Sequence, residues 1–104
     1  MTDRELLELA AKAAGVELIQ MPPGVYRNAT GAKPENNAFG LPTWNPLTDD
    51  GDALRLAVNL HLLYGINTDI LNHYLALELP SDEPLAATRR AIVRAAAEIG
   101  RNMK

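Results

Sequence analysis

The last part of the chain carries the longest helical pattern in the sequence, and this pattern limits the folds that the rest can adopt. Residues 80–84 (PSDEP) place acidic residues and prolines where a helix begins, and both residue types are tolerated there. Mostly apolar side chains then recur at helical spacing along one face: Leu85, Thr88, Ile92, Ala95, Ala96, Ile99 and Met103. A long helix with one apolar face needs a partner surface of similar length.

Two further helices begin at capping signals. Thr2 and Glu5 form a T-x-x-E capping box, and Gly15 permits the left-handed conformation that ends a helix. Thr48 and the aspartates that follow it predict a second helix, since negative charge is favoured in a first turn. We expect its buried face to consist of Ala53, Leu54, Ala57 and Val58.

The segments between these helices predict strands. Residues 16–20 and 25–27 are short apolar runs on either side of a Pro-Pro-Gly turn. Leucines at alternate positions from Leu71 to Leu79 favour a half-buried strand, paired with residues 60–66 as a hairpin. Residues 60–66 also fit an extension of the second helix that ends at Gly65. The segment 28–42 shows no periodicity, and its role stays open.

This order of elements predicts a single α+β domain that spans residues 1–104. We expect a layered α/β/α sandwich of about three helices and a small, mainly antiparallel sheet of about four strands. An apolar fraction of 47% is ordinary for a globular domain.

Composition excludes several function classes. The chain has no Cys, which rules out disulfides, thiolate nucleophiles and Cys-based zinc sites. A net charge of −3 argues against binding to long nucleic acids. The charged N-terminus lacks a signal-peptide core, and no apolar run approaches the roughly 20 residues that span a bilayer. We therefore expect a cytoplasmic protein that does not enter membranes.

Two sets of residues suggest metal sites, and in both a plainer interpretation is favoured. Asp49, Asp50 and Asp52 are carboxylates close enough in sequence to hold a hard cation, but they also suit the capping of a helix. His61 and His73 have no ligand partners at zinc spacing. No nucleophile elbow or Gly-rich phosphate loop is present. We predict no enzymatic activity, no metal and no cofactor.

Basic and aromatic residues suggest an anion-binding site. Arg89, Arg90 and Arg94 belong to the last helix, and guanidinium groups bind phosphate or carboxylate in a bidentate manner. Stacking partners for a base would come from Tyr26, Arg27, Trp44, Tyr64 and Tyr74. In the plainer interpretation the arginines form a solvated face balanced by Glu98, and Trp44 covers the core.

Three segments resemble a known family. Trp44–Ala57 (WNPLTDDGDALRLA) resembles the central segment of small tailed-phage and prophage proteins, and Ala86–Gly100 resembles their ATRRAIVRAAAEIG ending. Thr2–Gly15 is similar too, so that the resemblance covers roughly two fifths of the 104 residues. The family is the phage ABA-sandwich domain family. The resemblance implies an α/β/α domain of bacteriophage origin, without catalytic residues that could be carried over.

A phage accessory protein that binds a target is the function this resemblance favours. We expect a non-enzymatic viral counter-defence protein, a sponge for an anionic small molecule such as a nucleotide immune signal, in the cytoplasm of the bacterial host. The alternative is a protein-binding module that inhibits a host defence protein. A metal-dependent enzyme is a third, weaker alternative. A domain of this size often self-associates, so we also expect a homo-oligomer.

Overall fold

The computed structural model describes residues 2–16, 18–21, 24–27 and 44–103. Within these ranges the chain forms four α-helices: α1 Asp3–Ala14, α2 Asp50–Asn59, α3 Thr68–Glu78 and α4 Pro84–Arg101. After α1, the short strands β1 Leu18–Met21 and β2 Gly24–Arg27 pair in antiparallel register, with Leu18 opposite Arg27 and Met21 opposite Gly24.

Helix α4 is the centre of the fold, because it packs against each of the other three helices. Its inner positions are small, and Ala91, Ala95 and Ala96 are completely buried. The closest approach is at Gly100, where an added Cβ would overlap the backbone carbonyl of Leu9 in α1. Small residues thus let the two longest helices of the described chain lie close together, over a single hydrophobic core.

The predicted starts of the first and last helices are confirmed. The Thr2 hydroxyl accepts a hydrogen bond from the backbone N–H of Glu5 at 3.2 Å, and the Glu5 carboxylate accepts one in return from the N–H of Thr2. Gly15 ends α1 with φ of 72°. Pro84 occupies the first turn of α4. Proline is tolerated there because the N–H groups of a first turn have no partner within the helix.

The start of α2 is confirmed with a different capping residue. Asp49, rather than Thr48, is the N-cap, and its carboxylate accepts a 2.7 Å hydrogen bond from the N–H of Asp52. The buried carboxylate of Asp52 in turn accepts hydrogen bonds from the N–H of Asn45 and from the guanidinium of Arg55. These bonds tie the turn that precedes α2 to its first turn.

The predicted α+β sandwich is wrong. The packed body of the described chain is helical, with four helices instead of about three, and no four-stranded sheet occurs within residues 2–16, 18–21, 24–27 and 44–103. The α/β and ABA-sandwich descriptions are overturned by the same observation. The apolar faces that a sheet would have covered are covered by α4 instead.

The main error lies in residues 60–79, where we expected a hairpin and the structure has a loop followed by α3. Residues that contribute to the core are Ile70, Leu71, Tyr74 and Leu75, which follow helical spacing, whereas Leu77 is 58% exposed. The run that alternates also contains pairs at the i, i+4 spacing of a helix, such as Leu71 with Leu75, and this helical face packs against α4. The helix-extension alternative is also wrong, because α2 ends at Asn59.

The inner face of α2 differs from the expected one at three positions. Ala53 and Ala57 are buried as predicted, and Leu56 joins them, but Leu54 is 56% exposed and Val58 is 41% exposed. Helix α2 therefore carries apolar side chains that the rest of the described chain covers only in part.

Candidate functional site

The three arginines of the predicted anion site all have partners within the protein. Arg89 donates from Nε to the backbone carbonyl of Leu47 at 2.9 Å, and from Nη1 to the Asp50 carboxylate at 2.6 Å. It thereby fastens α4 to the start of α2. An anionic ligand at Arg89 would have to displace Asp50.

Arg90 and Arg94 share the carboxylate of Glu78, at the end of α3. Arg94 donates to Glu78 at 2.8 Å, and Arg90 lies at 3.9 Å from the same carboxylate while donating to Asp3 of α1 at 3.0 Å. The arginine face is thus balanced by acids from three other helices, since Asp50 of α2 pairs with Arg89. Glu98 has a different role.

Glu98 accepts a 3.0 Å hydrogen bond from the Tyr74 hydroxyl, and the guanidinium of Arg94 lies 4.7 Å from the centre of the Tyr74 ring. Burial, and next the hydrogen bond to Glu98, raise the pKa of the Tyr74 phenol above its ordinary value of 10.0. Beside this stack is a small cavity of about 160 Å³, lined by Leu6, Tyr74, Arg94, Ala97, Glu98 and Arg101. Arg101 has no ion-pair partner in the part of the chain that the structure describes.

The remaining predicted site residues do not join this cavity. Trp44 is 3% exposed and belongs to the core, as the plainer interpretation predicted. Tyr64 lies exposed in the loop between α2 and α3. Tyr26 and Arg27 belong to β2, and their side chains lie outside the described part of the structure. The segment 28–42 lies outside the described residues as well.

The aspartate cluster is a helix start, as the favoured interpretation predicted. Asp49 caps α2, Asp50 binds Arg89 and Asp52 binds Arg55 and the N–H of Asn45. No group of three or more potential metal-ligating side chains occurs among the described residues. The histidines lie in a loop and on α3 rather than on strands; the ring of His73 contacts Tyr74 edge-on at 5.0 Å.

A second surface, which was not predicted from the sequence, is an apolar groove of about 250 Å³ between α2 and α4. We call it the α2–α4 groove; its walls are formed by Ala53, Leu54, Leu63, Leu85, Thr88 and Ile92. Leu54 is 56% exposed and Leu85 is 68% exposed. The Asp50–Arg89 ion pair borders the groove, so that both charges there are neutralised.

The loop that supplies Leu63 is held by many backbone hydrogen bonds. The N–H of His61 donates to the carbonyl of Val58 and the N–H of Leu62 to that of Ala57, a pair of bonds that closes the C-terminus of α2. Leu62 is completely buried. Leu63 follows directly and lines the groove.

A signal for this groove was present in the sequence. The apolar pattern of the last helix begins at Leu85, and that of α2 includes Leu54 and Val58. Each apolar stripe is therefore wider than the helix face that is buried inside the protein. Periodicity shows which side chains are apolar, but not which of them find a partner within the chain.

Comparison with protein-family models, with curated proteins and with solved structures found no match for this chain. The resemblance to the phage family therefore stays a prediction. Among the described residues, no helix combines the length and apolar character needed to cross a membrane.

Proposed function

We propose that this chain is a non-enzymatic protein-binding module that docks onto a partner protein through the α2–α4 groove. The observation that supports this most is the exposure of Leu54 and Leu85 on both walls of one apolar groove. Contiguous exposed apolar surface favours association, because binding removes it from water. In folded proteins such a surface commonly marks a contact site.

The ion pairs of Arg89, Arg90 and Arg94 favour protein binding over the alternative that the chain sequesters an anionic small molecule. Arg89, Arg90 and Arg94 already bind carboxylates of their own chain. A phosphate would have to replace these acids, and each displaced carboxylate would lose its partner. From the resemblance to phage proteins, we propose that the partner is a host protein in the cytoplasm of a bacterial host. Binding to the groove would inhibit or redirect that protein.

A matched pair of substitutions tests the proposal. Leu54→Glu places a charge in the groove, whereas Leu77→Glu places the same charge on α3 at nearly equal exposure, 58% against 56%. We expect a stoichiometric protein to be captured from host lysate by the wild type and by Leu77→Glu, with at least a tenfold weaker interaction for Leu54→Glu. Failure to recover such a protein, or equal recovery by Leu54→Glu, would contradict the proposal.

The cavity beside Tyr74 supports a second candidate, the binding of a small anion. Arg101 supplies a guanidinium that has no ion-pair partner among the described residues, next to the Arg94–Tyr74 stack. A volume of about 160 Å³ is below the roughly 300 Å³ at which ordinary ligand pockets begin, so this cavity fits one phosphate or carboxylate group.

Calorimetry tests this second candidate. A panel of cyclic and ADP-ribose-type nucleotides and inorganic phosphate should produce heat with the wild type and with Arg4→Gln, which removes an exposed guanidinium of α1 that does not line the cavity. Arg101→Gln should reduce the affinity several-fold. Absence of heat with every compound would exclude anion binding at this cavity.

A further inference from the structure

The dimensions of the α2–α4 groove suit a helix. Leu85, Thr88 and Ile92 line it from α4, and this span of two helical turns is about 10 Å long. An apolar cavity of about 150 Å³ holds a benzene ring, so a groove of about 250 Å³ accepts one or two large side chains. A helix presents anchors at the same three- and four-residue spacing to a groove of this kind.

The loop between α2 and α3, which contributes Leu63 to the groove, is held by hydrogen bonds of its own. His61 adopts φ of 58°, an unusual conformation for a residue with a Cβ, and Gly65 adopts φ of 106°. Asn67 donates from its side chain to the carbonyl of Leu60 at 2.7 Å, and Thr68 donates from its hydroxyl to that of Gly65 at 3.0 Å. Strained backbone that is fixed by its surroundings commonly lies at binding sites, where it reduces the entropy lost on binding.

Charge indicates which kind of helix would bind. Asp82 and Glu83 are exposed directly before α4 and have no ion-pair partner in the described ranges, so they leave negative charge near Leu85. Glu83 is the N-cap of α4, but its side chain makes no capping hydrogen bond. The whole chain carries a net charge of −3. A symmetric dimer formed through this groove would bring two such acidic ends together, which electrostatic repulsion opposes.

From the shape, rigidity and charge of this surface, we propose that the occupant of the α2–α4 groove is a cationic amphipathic helix of the partner protein. Its apolar side chains enter between Leu54, Leu63 and Leu85, and its Lys or Arg side chains pair with Asp82 and Glu83. This inference rests on the proposed protein-binding function and adds the chemistry of the partner.

Selection from a display library of random helical peptides tests the inference. Peptides enriched on the wild type should carry Leu, Ile or Phe at positions i and i+4 and a net positive charge. One enriched peptide is then titrated by fluorescence anisotropy at low and at high salt. Leu54→Glu and Leu85→Glu should each raise Kd more than tenfold, whereas Leu77→Glu should stay within about twofold of the wild type.

The contribution of Asp82 and Glu83 to peptide binding is measured separately with the double variant Asp82→Asn/Glu83→Gln. We expect its Kd to rise about fivefold at low salt and its salt dependence to flatten, because exposed charges at the border of an interface act mainly through screened attraction. Circular dichroism of all variants verifies that the helices are retained.

The outcomes separate this inference from the proposed function. Enrichment of neutral or acidic peptides whose binding Leu54→Glu abolishes would overturn the cationic partner and leave the protein-binding function standing. Enriched peptides that bind Leu54→Glu as tightly as the wild type would overturn both. A dimer in sedimentation that Leu54→Glu dissociates would show that a second copy occupies the groove, and would overturn the inference.

Discussion

At the scale of single residues, His61 shows how the end of α2 is built at a local energetic cost. Its φ of 58° places a residue with a Cβ where glycine is usually found, and the N–H groups of His61 and Leu62 donate to the last carbonyls of the helix. The left-handed conformation costs a non-glycine residue about 1–2 kcal/mol. The surrounding bonds and the burial of Leu62 hold it in place.

We therefore expect His61→Gly to stabilise the protein. Relief of the left-handed strain exceeds the roughly 0.5–1 kcal/mol that glycine adds to the entropy of the unfolded chain, so the free energy of unfolding should rise by about 0.5–1 kcal/mol. Urea denaturation measures the change. His61→Ala removes the imidazole but keeps the Cβ, and it should bring no such gain; equal stabilisation by both variants would mean that the ring, and not the backbone, is strained.

At the scale of the elements, the contact between α1 and α4 depends on one glycine. An added Cβ at Gly100 would overlap the Leu9 carbonyl, which is backbone and cannot move aside without shifting a helix. Gly100→Ala should lower the free energy of unfolding by about 2–3 kcal/mol. Gly51 in α2 is the control, because an added Cβ there meets only side-chain atoms of Asp49 and Arg55. Gly51→Ala should be neutral or slightly stabilising. A Gly100→Ala variant of wild-type stability would contradict the close helix contact.

The contact between α3 and α4 should respond to alkaline pH through Tyr74. The folded protein raises the pKa of this phenol above 10.0, so the protonated form is favoured in the folded state. Its contribution to stability is fully present below pH 10 and is lost as the pH rises through the raised pKa. Tyr74→Phe should be less stable than the wild type near pH 8, since it lacks the hydrogen bond to Glu98.

The stability difference between wild type and Tyr74→Phe should therefore narrow from pH 10 upward. Urea denaturation between pH 8 and pH 11 follows this difference, with Tyr64→Phe at an exposed position as the control. A gap that stays constant over this range would show that the phenol titrates alike in the folded and unfolded states.

Helices α1 and α2 could be predicted from the sequence because they begin at their own capping residues, whereas α4 could be predicted from Pro84 in its first turn and from its long apolar stripe. Thr2 with Glu5, and the aspartates before α2, mark helix starts by local hydrogen bonding, which sequence alone determines. Helix α3 has no such signal, since its N-cap Asn67 makes no side-chain capping bond, and its leucines fit two periods. Its conformation depends on packing against α4, which sequence periodicity does not contain.

At the scale of the whole molecule, the sequence showed that three arginines lie on the last helix, but not which carboxylates pair with them. Asp3, Asp50 and Glu78 lie far from Arg90, Arg89 and Arg94 along the chain, and only the arrangement of four helices brings them together. The groove could not be predicted for a related reason. Leu54 and Leu85 belong to apolar stripes in the sequence, and only the arrangement of the four helices shows that they stay exposed.

Hydrogen exchange should show α4 as the most stable part of the molecule. Val93 and the residues from Ala95 to Ala97 in α4 are buried, whereas α3 has only one buried residue, Leu71. We expect exchange in α4 to require global unfolding and exchange in α3 to be faster by local opening. Amide exchange followed by NMR or mass spectrometry measures both. Equal protection of the two helices would mean that α3 unfolds only with the whole domain.

The position of α4 in the chain has a consequence for folding during synthesis. Helices α1, α2 and α3 all bury their apolar faces against residues 84–101, which the ribosome makes after them. None of the three finds its principal partner until α4 has been made, and the contact of α1 with α4 closes a long loop, which slows folding. The nascent chain should therefore remain without its core until α4 emerges from the ribosome.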